Sequence, residues 1–446
     1  MANHRELADK VARQIAEGKL LPGMRLPPQR RFAEQQDIAD STAARVYAEL
    51  RRRGLVSGEV GRGTFIRKPP EFPVFRSEDR PGITLDLEQG FPMLPAQHAP
   101  LSEVLRDLAT PEALADLLRP TSVMGSERYR RLAADFVAAG RFQPAPEQML
   151  FTSGGRQAVA AAIAALVPAG RRLAVEALTY PQVKAIAGTL GLHLVPIAMD
   201  AHGLRPDALS AAHRQGPLDG LYLQPALHNP LGLSMPPARR AELGAVLRQT
   251  GIRAVEDVIY RFLLGEEHEP LAAEAPEQVV LVDAMSKRLA PGLSIGIIAA
   301  PPALTERMAR AIRAGCWGAG GFAQAACSQW IASGVVRQIE AAKRADAAAR
   351  QALARRILPA GTVQADPRAY HLWLRLPETW SAEAFTAHAA RAGIAVSPGG
   401  NFAVLRAQAP RAVRLSLAVP PFEALAPALH RLADAMRAGP EGGSFD

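Results

Sequence analysis

The sequence predicts an α/β protein in two parts: a small helical module ending in a β-hairpin, then a larger body on a mainly parallel sheet. Three observations predict it. Helical periodicity and helix-stop residues occupy the first 50 or so residues and give way to two short strand-like runs. A proline-rich polar stretch follows, Lys68-Pro69-Pro70-Glu71-Phe72-Pro73 and onward to Pro81-Gly82. Beyond about residue 85, apolar runs alternate with amphipathic helical stretches, the pattern of a sheet covered by helices. The expected boundaries are 1–68 for the module, 69–84 for a semi-extended tether and 85–446 for the body.

Composition bounds the function. A chain of 446 residues exceeds one ordinary core. Its 48% hydrophobic and 21% charged residues are those of a soluble globular protein. No apolar run is long enough to span a membrane, and the start lacks the apolar core of a signal peptide, so a cytoplasmic protein is expected. Cys316 and Cys327 lack metal-ligand partners at useful spacing and read as free or buried thiols. Residues 1–68 hold 14 Lys/Arg against 8 Asp/Glu, so most of the net +9 sits on the module. A basic module on a near-neutral body points to a polyanionic partner.

Within the module, Leu7, Val11 and Ile15 mark one helix face, with Gly18 as a stop. A second helix follows Leu26-Pro27-Pro28. A third runs from near Ser41 to Arg53, ended by Gly54. Ala43, Val46, Tyr47 and Leu50 form its inner stripe, while Ser41, Ala44 and Arg45 point elsewhere. The run from Leu55 to Ile66 reads as a hairpin, completing a winged helix-turn-helix.

In the body, strand-like runs include Leu173-Ala174-Val175, Leu221-Tyr222-Leu223, Ala254-Val255, Val279–Val282 and Ile295–Ile298, and Ala341–Ala354 reads as one long helix. Lys287 stands just past one run, in a chain with only six lysines, Lys10, Lys19, Lys68, Lys184, Lys287 and Lys343, among its 52 cationic residues. Imine formation needs a primary amine, which a guanidinium cannot replace, so Lys287 is a candidate to bind pyridoxal phosphate covalently. That cofactor also needs an anion site, a stacking ring, a donor to its phenolic oxygen and a carboxylate on its pyridine nitrogen. Ser153-Gly154-Gly155-Arg156 opens a helix whose free N–H groups suit phosphate. Tyr180 follows a strand and suits the ring. Asn229, in Leu227-His228-Asn229-Pro230, and Tyr260 suit the phenolic oxygen. Asp257 ends an apolar strand, where an unpartnered carboxylate is costly. Singly, each has an ordinary reading: a surface lysine, a core tyrosine, a turn asparagine, a helix cap.

Two resemblances sharpen this. Residues 4–66 resemble the DNA-binding domain of the GntR family of bacterial repressors, through Gly18-Lys19-Leu20-Leu21-Pro22-Gly23-Met24-Arg25-Leu26-Pro27, Arg30, Thr42, Arg45 and Gly61-Arg62-Gly63-Thr64-Phe65. The resemblance implies that Arg30, Thr42, Arg45, Arg62 and Gly63 meet DNA. Asp40 stands where that family often has a basic residue. Residues 85–435 resemble the fold-type I aminotransferases, pyridoxal-phosphate enzymes with a smaller α+β subdomain, through the ordered glycine turn, tyrosine, Asn-Pro, Asp-x-x-Tyr and Ser286-Lys287. Val413-Arg414-Leu415-Ser416 then resembles the segment whose arginine grips a substrate carboxylate. The fusion resembles the MocR subfamily of regulators, which implies a dimer sensing an effector through the body.

The pattern departs at the phosphate end. Ala284 stands where the family has Ser or Thr, and Ser294 where it has Arg. Losing that cation removes a charge-assisted bond of about 1.5–3 kcal/mol. Arg156, Arg288 or Ser294 are the expected compensators. The leading expectation is a regulator that binds operator DNA and senses an amino compound, or the cofactor itself, without depending on turnover. A working aminotransferase with an accessory DNA module and a cofactor-free scaffold stay open.

Overall fold

The computed structural model describes residues 4–17, 19–21, 23–53, 55–59, 63–66, 82–265 and 268–440. Gly18, Gly54, Gly61, Arg62 and most of the expected tether lie outside them. The chain divides into two compact units, Met1–Pro73 and Val74–Asp446.

The first unit has three helices, His4–Ala16, Gln29–Gln36 and Asp40–Arg52, and an antiparallel hairpin of Val56–Glu59 with Gly63–Ile66. Leu7 and Val11 from the first helix, Phe32 from the second and Ala43, Val46, Tyr47 and Leu50 from the third share one core with Val56 and Ile66. Phe32 meets the Tyr47 ring edge-on at 5.4 Å, and the Tyr47 hydroxyl donates to the Pro27 carbonyl at 2.5 Å. Asp40 is the first residue of the third helix, where a carboxylate meets the positive end of the helix dipole. This local stabilisation accounts for an acid at that place.

The second unit is built on seven strands in the spatial order Met149–Thr152, Gly296–Ala299, Val279–Ala284, Ala254–Asp257, Gly220–Leu223, Arg172–Glu176, His193–Ile197. All neighbours are parallel except Gly296–Ala299, which runs antiparallel to both of its own. Side chains alternate across this sheet. Leu221, Leu223, Leu281 and Ile297 enter the core on one face, and Tyr222, Val280, Val282 and Ile298 the core on the other. The alternating runs of the sequence are therefore strands covered on both faces by helices, as predicted.

A smaller antiparallel sheet joins Val363–Gln364, His371–Arg375, Ala412–Ser416 and Ser397–Pro398. Helices Val335–Ile357, Ala382–Arg391 and Phe422–Ala438 pack on it. The first of these contains the predicted helical stretch Ala341–Ala354. Strand Leu85–Asp86 pairs in parallel with Ile394–Ala395, so the chain enters the body beside this smaller sheet. No helix is long and apolar enough to cross a membrane among the described residues.

Candidate cofactor and effector site

The parallel strands end at a common rim, where ligands of such sheets bind. Asp257 is the last residue of the central strand and is 5% exposed. Burial pushes its pKa up to about 6, although donors from Tyr222, Ile259 N–H and Gln224 oppose the shift. Tyr222 Oη and Gln224 Nε2 donate to Oδ2 at 2.8 and 2.9 Å, and Ile259 N–H donates to Oδ1 at 3.1 Å. Neither Tyr222 nor Gln224 figures among the sequence candidates. The available signal was strand parity: Val255 pairs with Tyr222 and Glu256 with Leu223, which brings Gln224 level with Asp257.

Lys287 lies in a four-residue helix, Met285–Arg288, directly after its strand, rather than in a loop. Its Nζ donates to the Gly90 carbonyl at 2.7 Å and sits 3.4 Å from the centre of the Phe91 ring. Burial first, then the charges of Arg414 and Arg156, push its pKa well down, and Asp257 pulls the other way. From behind, buried Lys343 donates to the carbonyls of Lys287 and Leu289 at 3.0 and 2.9 Å. Burial draws the pKa of Lys343 down to about 7.

Asn229 precedes a cis peptide bond to Pro230. Its N–H donates to Gln224 Oε1 at 3.3 Å, and its Oδ1 accepts from Arg414 at 3.3 Å. Arg414, on the Ala412–Ser416 strand, also donates to Ser397 Oγ at 3.1 Å and to the Glu88 carbonyl. Its guanidinium lies 5.3 Å from the Phe402 ring centre, and its buried Nε has no partner. Tyr260 is buried against His371, ring centres 5.1 Å apart. Tyr180 caps the helix Pro181–Thr189, and burial raises its phenol pKa, with Arg156 opposing. The structure thus brings Lys287, Asp257, Asn229, Tyr180, Tyr260 and Arg414 to one rim.

At the anion end, helix Gly155–Leu166 begins at the glycine turn, and its first intrahelical bond runs from Ala158 N–H to Gly154 O at 3.0 Å. The N–H groups of Gly155, Arg156 and Gln157 precede that bond. A side chain on Gly155 would meet the Ala284 methyl at 3.0 Å, so the small residue at 284 closes against the turn. The Ser294 hydroxyl flanks the same turn, 3.3 Å from where a Cβ on Gly154 would stand. Arg156 is exposed, and its charge acts on both Lys287 and Tyr180. Ser286 is half-buried beside Lys287.

Arg288 is a correction. Expected to compensate at the phosphate, it is buried and committed elsewhere, to Asp283 at 2.5 Å and to Glu340, with its guanidinium 4.8 and 5.1 Å from the Phe136 and Phe262 ring centres. The short helix turns it away from Lys287 and into the core.

This donor set fits a pyridine ring with a protonated nitrogen. Asp257 keeps a free acceptor position on Oδ1, and a primary amine and a guanidinium lie on the same rim. At the glycine turn, main-chain N–H groups, a serine and one exposed arginine could take an anion.

On the module, Arg30 and Arg45 are exposed and have no ion pair among the described residues, while Thr42 is half-buried. Arg52 and Arg53 are taken up by Glu49, at 2.6 and 2.8 Å, and Arg53 also by Asp9 at 2.5 Å. Gly63 has φ +118°, and a Cβ there would come within 2.7 Å of Arg25 Nε. Its backbone conformation favours glycine, and the exposed Arg25 side chain would have to move aside for any Cβ.

Comparison with known proteins agrees with this division. Residues 83–432 match the family "Aminotransferase class I and II", and residues 3–66 match "Bacterial regulatory proteins, gntR family". The HTH-type transcriptional regulator YdeF of Bacillus subtilis is 29% identical over 94% of this chain and 90% of its own. The HTH-type pyridoxine biosynthesis transcriptional regulator PdxR of Corynebacterium glutamicum is 28% identical over 75% of this chain and 74% of its own. The vitamin B6 salvage pathway transcriptional repressor PtsJ of Salmonella typhimurium is 26% identical, over 90% and 91%. Among solved structures, an archaeal alanine:glyoxylate aminotransferase superposes with a TM-score of 0.73 at 21% identity, covering 79% of this chain and 90% of that one.

The Arg288 cluster makes a prediction. Arg288→Leu leaves Asp283 and Glu340 buried without their cation, so it should destabilise the body by about 3–5 kcal/mol. A urea melt followed by circular dichroism measures this. Unchanged stability would mean that the cluster is not what the fold rests on.

Proposed function

Because the chain belongs to the class I and II aminotransferase family and carries a gntR-family module ahead of that domain, the MocR arrangement, we propose that it is a transcriptional regulator. It binds operator DNA through the module. Through the body it senses pyridoxal phosphate or an amino compound that reacts with the bound cofactor. The observation that carries this reading is the convergence of Lys287, Asp257, Asn229, Tyr260 and Arg414 on one rim. The relatives named for pyridoxine biosynthesis and vitamin B6 salvage support it.

Pyridoxal phosphate, when bound, supplies an aldehyde that condenses with primary amines and a protonated ring that withdraws electrons. Lys287 offers the amine, and its depressed pKa enriches the neutral, nucleophilic form. Asp257 holds the proton on the ring nitrogen. Asn229 and Tyr260 serve the phenolic oxygen, and Tyr180 the ring face. The N–H groups from Gly155 onward, with Arg156, Ser294 and Ser286, take the phosphate. Arg414 receives the carboxylate of the amino compound through its planar fork. An effector that binds two states of the body unequally shifts the balance between them, and with it operator affinity. We further propose a cytoplasmic homodimer on paired half-sites. Intact Lys287 and Arg414 also favour a second reading, residual transamination, which turnover of an amino acid with a keto acid independent of DNA would reveal.

Three outcomes are expected. First, borohydride treatment of protein loaded with pyridoxal phosphate should label Lys287 by mass spectrometry. Lys287→Ala should lose both the near-visible absorbance and any response of operator binding to cofactor or amino acids. A wild type that stays colourless when titrated with the cofactor sinks the reading. Second, only ionised Asp257 holds the ring proton, and its pKa is raised to about 6. Cofactor affinity should therefore be level above that pH and fall below it, and Asp257→Asn should lack the break. Third, Arg45→Ala should cost about 1–3 kcal/mol on operator DNA and much less on scrambled DNA. Fluorescence anisotropy with both duplexes measures this, and equal losses on the two would place Arg45 on the phosphate backbone.

A further inference from the structure

We infer that Gln224 is a positioning residue whose one side-chain amide sets the Asp257 carboxylate and the Asn229 turn relative to each other. The inference rests on the cofactor reading above.

Gln224 is 2% exposed, one residue past the Gly220–Leu223 strand. Its Nε2 donates to Asp257 Oδ2 at 2.9 Å, and its Oε1 accepts from Asn229 N–H at 3.3 Å. The partners leave no choice of amide orientation, because a carboxylate only accepts and a peptide N–H only donates. The main-chain N–H of Gln224 donates to buried Glu176 Oε2 at 3.0 Å, and the same oxygen lies 3.2 Å from His228 Nε2. Gln224 is therefore held at both ends.

Two consequences follow for the groups at the rim. Tyr222 and Gln224 both donate to Oδ2, while Oδ1 receives only Ile259 N–H. Each carboxylate oxygen accepts about two bonds, so the geometry points to Oδ1 as the oxygen left for a ring N–H. Gln224 also fixes the main chain of Asn229, whose Oδ1 is taken by Arg414 at 3.3 Å. That leaves the Asn229 amide nitrogen as its free donor. One bonded line thus runs from the carboxylate-binding arginine through Asn229 and Gln224 to Asp257. An apolar side chain of equal length would fill the volume and hold neither partner.

The test compares full-length wild type with Gln224→Met and Gln224→Glu. Each is titrated with pyridoxal phosphate by absorbance between about pH 6 and pH 9, and cofactor-free thermal unfolding is recorded for each. Gln224→Met keeps the length and loses both bonds. It should bind the cofactor about tenfold or more weakly, with the acid fall in affinity moved to higher pH. Gln224→Glu keeps an acceptor for Asn229 but sets a second carboxyl against Asp257. A proton shared by the pair restores a donor, so its affinity should fall as pH rises, opposite to the methionine variant. Variants that match wild type in affinity and pH profile overturn the inference. So does an equal loss in both with an unchanged profile, which is simple packing. If Gln224→Met fails to fold, the slope of Gln224→Glu decides alone. A wild type that takes up no cofactor sinks the functional reading, and this inference with it.

Discussion

A carboxylate enclosed at the end of the central strand governs how the rim is built. Asp257 has lost nearly all contact with water, and an isolated anion there would cost several kcal/mol. The surrounding chain answers with a phenol, an amide and a main-chain N–H, yet the carboxyl still titrates near 6. Donors enough to hold the charge, and too few to exhaust its acceptors, leave an anion with unused capacity. The charge of Arg414 disfavours protonation of Lys287, and Asp257 offsets part of that.

A different arrangement holds charge in the core beside Lys287. Asp283, Glu340 and Arg288 form a closed cluster with two aromatic faces around the guanidinium. Asp283 answers to a cation, Arg288, and to the Ala284 N–H, whereas the bonded donors to Asp257 are all neutral.

The fold was readable because its signals are periodic. Strands buried on both faces appear as short apolar runs, and the inner stripe of the third helix appears as Ala43, Val46, Tyr47 and Leu50. Asp257 and Lys287 were readable because a charge at the end of an apolar strand has few structural reasons to be there. Tyr222 and Gln224 were not, since a tyrosine inside an apolar run reads as core and a glutamine after it as loop. Only the strand register places them beside Asp257. Adjacency misleads for Arg288: successive residues of a helix point about 100° apart, so the neighbour of a site lysine faces elsewhere. The glycine turn stays the least legible part, because main-chain N–H groups leave no mark in side-chain chemistry.

The stretch Glu88–Phe91 bears on how tightly any ligand is held. Its carbonyls already accept from the Lys287 amine and the Arg414 guanidinium, and the Phe91 ring lies against the lysine. A carboxylate taken up at the Arg414 Nη2 would therefore exchange partners with the Glu88 carbonyl. Its net affinity is the difference between two similar bonds, smaller than either alone. A ligand that replaced both carbonyls at once would gain the most from that exchange.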